Sequence, residues 1–502
     1  MGDSLEQAGA TPLQAGAILS SKTLAELSMI LTWAIARDNK LARQPEPGVG
    51  PTASSLEPHN EPDQGQLWQP GQIPFEPALL QAITRHRLEI ILEPHLQELG
   101  WPAAVVRNLR QAAKQQRLRS LALLAAGIDC SDRLRAEGIR CLLFKGPALA
   151  LQTTGDSSAR GSGDVDLLVD PGALAEAVAA LEAIGFTRLR GNFPRDLHSR
   201  WGRYGRWAGY ELSMRRGGIW LDLHWALSNV RSPLPRFEAI WAEHQTLNAN
   251  GKSLATLSQR HAFLHACAHA AKDEWMTLRH LVDIERLARQ LPLEDRPLLR
   301  QSKAVRLSCA VAYHSLANPV LLEYTNPINR NCRKAIAKAQ WNQLRQPRAR
   351  ATLPWQPKHW LGALGHTLLL ARSPQDWLRT VACFTVPPAT FNDPITGKDR
   401  NLSEMIRARL DKMVDKLSQW RQGGSAEAVR GDSRRAIPSP SPEVGGPAVG
   451  GSESPAFCRS AKTNVGATTN GDPASPSGPA ESAKPGRQAG SQLLVDRQSW
   501  RA

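Results

Sequence analysis

Hydrophobic spacing changes three times along the chain, and each change marks an element. Over residues 22–37 ("KTLAELSMILTWAIAR") apolar side chains recur at three- and four-residue steps, predicting one isolated amphipathic helix. The same period returns after Phe75. "PALLQAITRHRLEIILEPHLQELG" predicts helix as far as Gly100, and Pro102 opens a second long helix. Val106, Leu109, Ala113, Leu121, Leu124 and Ile128 are read as its apolar side. At Gly138 the pattern shortens to "GIRCLLFKG", a buried strand ending in glycine, with "PALALQ" as a helix behind it. A second strand follows in "DVDLLVD", then a helix capped by Asp170 with Leu174, Val178, Leu181 and Ile184 as its stripe and Gly185 as its stop. "GYELSM", "RRGG" and "IWLDLHWAL" read as strand, turn and strand. From Ser258 the helical period resumes and is expected to continue to Trp420. The expected fold class is α+β, a small mixed sheet flanked by helical regions.

Composition trims this picture at both ends. Residues 44–72 and 423–502 are rich in Gly, Pro, Ser and Ala and too poor in apolar residues to bury a core. The expected organisation is a mostly disordered tail with one short amphipathic helix over 1–72, a helical region over 73–137, an α/β core over 138–257, a helical region over 258–420 and a low-complexity tail over 421–502. Both tails are expected to be dispensable for folding. The net charge of +16 suits a phosphate-bearing partner, and equally an Arg-rich surface that only keeps the chain soluble. Seven scattered cysteines without C-x-x-C fit reduced thiols, not a disulfide framework or zinc cage. The acidic "MGDSLEQ" start lacks signal-peptide and myristoylation patterns, and "LSMILTWAIA" is too short to span a bilayer. A cytoplasmic protein without membrane association is expected.

Candidate chemistry centres on "ARGSGDVDLLVD", residues 159–170. In a strand, Asp164 and Asp166 point to one side and Val165, Leu167 and Val169 to the other. This geometry suits a divalent cation, but it is also that of a half-exposed strand. The second hairpin strand adds a third acid, since Trp220, Asp222 and His224 share the face opposite Ile219, Leu221, Leu223 and Trp225. If that strand lies beside the first, three carboxylates meet at one sheet edge, an arrangement that is costly without a cation. Mg²⁺ (or Mn²⁺) held by carboxylates and substrate phosphates fits it. Just upstream, "FKGPALA" leaves a strand through Gly146 into a helix N-terminus, with Lys145 as a point charge for an anion.

The order strand–Lys-Gly–helix, Arg160, Asp-x-Asp before aliphatics, and Asp-Leu-His-Trp resembles the uncharacterised bacterial nucleotidyltransferase family of the DNA polymerase β-like superfamily. The similarity continues through "FLHACAHAAKDEWMTLRHLVDIERL" and "SPQDW", over roughly residues 75–400. The resemblance implies a nucleotidyltransferase core in which Asp164, Asp166 and Asp222 form a metal-binding catalytic triad. It implies an NTP substrate bound by Lys145, Gly146, Arg160 and His224, and an acceptor that is a small molecule, peptide, protein or RNA. One departure stands out: Pro147 follows Gly146 where many members have serine, removing a hydroxyl and an N–H. Two other readings remain, a toxin–antitoxin-type transferase acting on protein or RNA, and a catalytically silent RNA-binding module.

His261, His265 and His269 stand at i, i+4 and i+8 without an H-E-x-x-H pattern, and packing is expected of them instead of zinc coordination. "RGSGD" lacks the third glycine of a dinucleotide loop. Asp170 is read as a helix cap and Asp283 as structural. Replacing Asp166 or Asp222 by asparagine is expected to leave stability equal or higher, because clustered carboxylates repel.

Overall fold

The computed structural model describes residues 19–42, then 73–345 apart from 190–192, 233, 250 and 326, and parts of 364–414. The expectations for the remaining tail residues, Cys458 included, lie outside the described residues. Residues 1–433 and 434–502 separate into two units, and every described residue falls in the first.

The helical N-terminal part comprises α1 (Ser21–Ala42), α2 (Pro77–His86), the single turn α3 (Glu89–Leu92) and the long α4 (Ala103–Ala136). The α/β part follows as β1 (Cys141–Phe144), α5 (Gly146–Thr154), β2 (Val165–Val169), α6 (Leu174–Ala183), β3 (Thr187–Arg188), α7 (Arg200–Ala208), β4 (Glu211–Arg216), β5 (Ile219–His224) and α8 (Phe237–Ala242). A small hairpin, β6 (Gln245–Ala249) and β7 (Lys252–Thr256), stands apart as a second sheet. Beyond it come α9 (Gln259–Lys272), α10 (Leu278–Gln290), the short α11 (Arg296–Leu299), α12 (Lys303–Leu316), α13 (Arg330–Arg345) and α14 (Pro374–Thr385). The fold is α+β.

The five-stranded sheet runs β1-β2-β5-β4-β3. Only the central β2–β5 pair is parallel; β1–β2, β5–β4 and β4–β3 are antiparallel. Alternation of side chains splits the core between its two faces. Leu143, Val165, Leu167, Leu212, Leu221 and Leu223 pack under α6 and the second half of α4. On the opposite face Leu142, Phe144 and Leu168 join a larger core made with α1, α9, α10 and α12. Gly127 of α4 lets that helix lie close on the sheet, since a Cβ there would meet the Leu143 side chain at 2.9 Å. All cysteines among the described residues are free thiols.

The apolar side of α4 differs from expectation. Leu121 is 43% exposed, and the buried line passes through Ala113, Ser120, Leu124, Gly127, Ser131 and Leu134. A step of eight residues swings about 80° around a 3.6-residue helix, whereas a step of seven returns almost to the same face. Ser120 spends its hydroxyl on the Arg160 carbonyl, 3.0 Å away, which is why a polar residue sits in that line. The helix at residues 22–37 is also not isolated. Leu24, Leu27, Ile30, Leu31 and Ile35 are buried in the same core as α9, α10 and α12. Its start is tied to α13 by the Leu19 N–H donating to the Leu344 carbonyl, 2.9 Å. Near the other end, Asp376 of "SPQDW" is buried and accepts the backbone N–H groups of Arg231 (3.1 Å) and Ser232 (3.0 Å), tying α14 to the segment that follows β5.

Candidate active site

Strand β1 ends in a turn with unusual backbone angles: Lys145 has φ 56° and Gly146 φ 38°, both in the left-handed region. A Cβ on Gly146 would stand 2.7 Å from Ser162 Oγ, so both conformation and closeness require glycine here. Pro147 falls in the first turn of α5, where a backbone N–H has no intrahelical acceptor. The facing loop, residues 160–164, is tied down by its backbone. Arg119 donates to the Gly163 carbonyl (2.8 Å), Ser162 Oγ to the Asp164 carbonyl (3.1 Å), and Arg279 to the Gly161 carbonyl. Arg160 Nε reaches both carboxylate oxygens of Asp283 on α10 at 2.9 and 3.0 Å. Burial alone would lower the Arg160 guanidinium and raise the Asp283 carboxyl, but each outweighs that for the other and both stay charged.

The parallel register of β2 and β5 sets Asp166 directly opposite Asp222, with their side chains on the same face. Antiparallel β4 adds Ser213 opposite Asp222 and Glu211 opposite His224, again on that face. Asp166 is 4% exposed. Its Oδ1 accepts from Lys145 Nζ at 2.7 Å and lies 3.0 Å from His224 Nε2. Burial alone would raise this carboxyl; Lys145 and His224 outweigh it and hold the group well below its ordinary value. An ionised acceptor requires His224 to carry its proton on Nε2. The other ring nitrogen, Nδ1, lies 3.4 Å from a Glu211 oxygen without hydrogen-bond alignment. Asp222 accepts from Ser213 Oγ at 2.6 Å through Oδ1. Burial, and next the Glu211 charge, push its carboxyl up to about 6. Asp164 is raised too, by burial and then by the charge of Asp166.

Asp166, Asp222 and His224 each offer a ligand atom within 4.8 Å of the others. Asp164, placed on the same face just before β2, lies outside that group. Among the described residues no hydrogen bond falls on Oδ2 of Asp166 or of Asp222. The donor set therefore fits a divalent cation: two carboxylates with one open oxygen each, across neighbouring strands, with His224 orienting Asp166 from behind.

Asp166 and Asp222 thus respond differently to charge removal. Asp166 is paired with the partly buried Lys145 ammonium and the buried His224, so the expectation of equal or higher stability for its asparagine variant is reversed. Asp222 is the strained member. Its folded value is raised, so the stability it withholds is fully withheld above about pH 6 and restored as pH falls towards the ordinary carboxyl value. Metal-free Asp222→Asn is therefore expected to be more stable than the parent at pH 8, by up to about 3 kcal/mol, with the gap closing near pH 4. Paired thermal melts across that range check it; a gap that widens on acidification would refute the assignment.

Glu211, Ser213, Tyr210 and Lys272 were not singled out by sequence reasoning, although the hairpin register follows from its turn. Gly217-Gly218 pairs Arg216 with Ile219, which places Ser213 opposite Asp222 and Glu211 opposite His224. Lys272 Nζ donates to the Tyr210 hydroxyl at 3.0 Å. A cavity beside the cluster is lined by Lys145, Arg160, His265, His269, His280 and Asp283, among others. The three histidines of α9 do not converge. His261 faces Glu243 at 3.5 Å, away from the other two; His265 lies between Phe144 and His269 (ring centroids 5.2 and 5.7 Å), and His269 meets His280 at 5.2 Å on its other side.

Residues 76–318 match a family of uncharacterised nucleotidyltransferases. No curated protein matches the chain. Among solved structures, the antibiotic-resistance factor ANT(2'')-Ia is 15% identical with a TM-score of 0.27, over 39% of this chain and 97% of that one. An antigenic nucleotidyltransferase-like protein from Paracoccidioides brasiliensis is 16% identical with a TM-score of 0.25, over 42% of this chain and 92% of that one. Both structural likenesses are weak. Among the described residues no helix is long and apolar enough to cross a membrane.

Proposed function

We propose that this chain transfers a nucleoside monophosphate from an NTP to an acceptor hydroxyl or phosphate, with Asp166 and Asp222 as the residues that would hold a divalent cation and Asp164 nearby as the third acid of the expected triad. The observation that carries the reading is the pairing of Asp166 with Asp222 across β2 and β5, each with an open oxygen, beside the Lys145–Gly146 turn. When bound, Mg²⁺ or Mn²⁺ supplies positive charge against the triphosphate and the developing negative charge of the reaction.

The protein groups supply the rest. The strained turn brings the N-terminus of α5 to the phosphates, and Lys145 adds a mobile point charge that is parked on Asp166 when no phosphate competes. Asp222, with its raised carboxyl, takes the proton from the attacking acceptor oxygen. That oxygen forms a bond to the α-phosphorus as the bond to the bridging oxygen breaks, and pyrophosphate leaves with the electron pair. Arg160 fixes the 160–164 loop through Asp283 and presents its remaining edge to the cavity.

Full-length protein incubated with each NTP, Mg²⁺ or Mn²⁺ and cell extract as acceptor is expected to release pyrophosphate, and Asp222→Asn to lower that rate by about 10²–10⁴-fold. Label transferred to protein or RNA in the extract would favour the toxin–antitoxin-type transferase. Metal-dependent NTP binding without turnover would replace the proposal by a silent binding module, and failure to bind any NTP would overturn it.

A further inference from the structure

The end of α9 and the start of α10 carry a second constellation, of different chemistry. His269 stands in the last turn of α9 and Asp273 caps that helix, four residues on, with its carboxylate oxygen 3.5 Å from His269 Nδ1. His280 enters from the first turn of α10, its ring edge-on to His269. One ligand atom from each of the three lies within 4.8 Å of the other two. Ligands of a tetrahedral zinc-type site stand roughly 3.4 Å apart at metal–nitrogen distances of about 2.1 Å. Side-chain rotation by about an ångström closes that gap.

The turn between the helices is built to hold this arrangement. Glu274 and Trp275 both adopt left-handed angles, φ 55° and 53°, which non-glycine residues accept only when their surroundings impose them. Trp275 is buried and donates from Nε1 to Ser308 Oγ at 2.8 Å, and Gln343 donates to its carbonyl at 3.0 Å. His280 Nδ1 is buried with no hydrogen-bond partner. The two ammonium groups that act on His269, Lys145 and Lys272, are engaged by Asp166 and by the Tyr210 hydroxyl.

We propose that His269, Asp273 and His280 bind a transition-metal dication of the Zn²⁺, Co²⁺ or Mn²⁺ kind, separate from the carboxylate site. Two imidazoles and one carboxylate favour such an ion over Mg²⁺, which prefers oxygen ligands and retains its water. Three protein ligands leave a coordination position open, as in catalytic metal sites as opposed to structural ones. His269 and His280 line the cavity that also holds Lys145, so the open position gives on to the space beside the nucleotide turn. An anionic group of a substrate, such as a phosphate or carboxylate, is the ligand that position would take. The site does not depend on the transferase reading.

Titration of chelator-washed full-length protein with Co²⁺, in excess Mg²⁺, tests it through the visible absorption of the bound ion. One equivalent is expected to bind. His280→Gln and Asp273→Asn are each expected to weaken binding by about a hundredfold or more, while Asp222→Asn leaves it unchanged. Thermal melts confirm that the variants are folded, and each variant serves where the other fails. Absence of a Co²⁺ band, or a band lost in Asp222→Asn and retained in His280→Gln and Asp273→Asn, would overturn the proposal without touching the nucleotide chemistry.

Discussion

Replacing Asp166 by asparagine is expected to lower the proposed metal-dependent NTP turnover by about a thousandfold or more, the equivalent of several kcal/mol of lost charge stabilisation. It is also expected to destabilise the protein. Asp166 is buried between Lys145 and His224, and its carboxyl is held below the ordinary value. A depressed carboxyl contributes stability above its unfolded value, so at neutral pH the full contribution is present to be lost. Leaving the Lys145 ammonium opposite an amide costs less than the roughly 3–5 kcal/mol of breaking a fully buried pair, because Lys145 is only partly buried. Asp222→Asn should share the loss of turnover without the loss of stability. Rates and thermal melts of the two variants side by side test this; an Asp166→Asn protein that melts above the parent would show that repulsion, not pairing, dominates at Asp166.

Removing α1 should have the largest effect on folding. Leu24, Leu27, Ile30, Leu31, Trp33 and Ile35 are buried. At about 1.5–3 kcal/mol for each large apolar side chain, their burial contributes roughly 10 kcal/mol before entropy is charged against it. That is comparable with the whole stability of a typical domain, about 5–15 kcal/mol. A chain starting at residue 73 is therefore expected to aggregate or to melt without cooperativity, whereas one starting at residue 19 should fold. Circular dichroism melts of residues 73–420 against 19–420 decide it. Equal melting of both would mean that α1 rests on the core without completing it.

How much of this was legible depended on the range of the interaction. Strand alternation is local, so the placement of Asp166, Asp222 and His224 on one face could be read from "DVDLLVD" and "IWLDLHWAL" alone. Their adjacency needed the β2–β5 pairing, which no local pattern specifies. The glycine of "NANGKS", Gly251, is a local hairpin signal; it stands between β6 and β7 with φ 79°. The amphipathic period of α1 said that one side would be covered, but its partners are α2 and α3 some 40–60 residues on and α12 and α13 some 300 residues away. Asp273 and His280 escaped notice for a related reason. They join His269 only because the strained turn at Glu274-Trp275 folds α10 back, a conformation that side-chain periodicity does not encode.

The bond between the Leu19 amide and the Leu344 carbonyl carries a consequence for biosynthesis. The apolar face of α1 leaves the ribosome early, yet α13, which receives its first residues, ends at Arg345. At translation rates of about 5–20 residues per second, the roughly 300 intervening residues take about 15–60 s to emerge. During that interval α2 and α3 are at hand, but the partners that α12 and α13 supply to the face of Leu27, Ile30, Leu31 and Trp33 are not yet made. Chaperone capture of stalled nascent chains should therefore weaken abruptly once α13 has cleared the exit tunnel, not when β2 and β5 have.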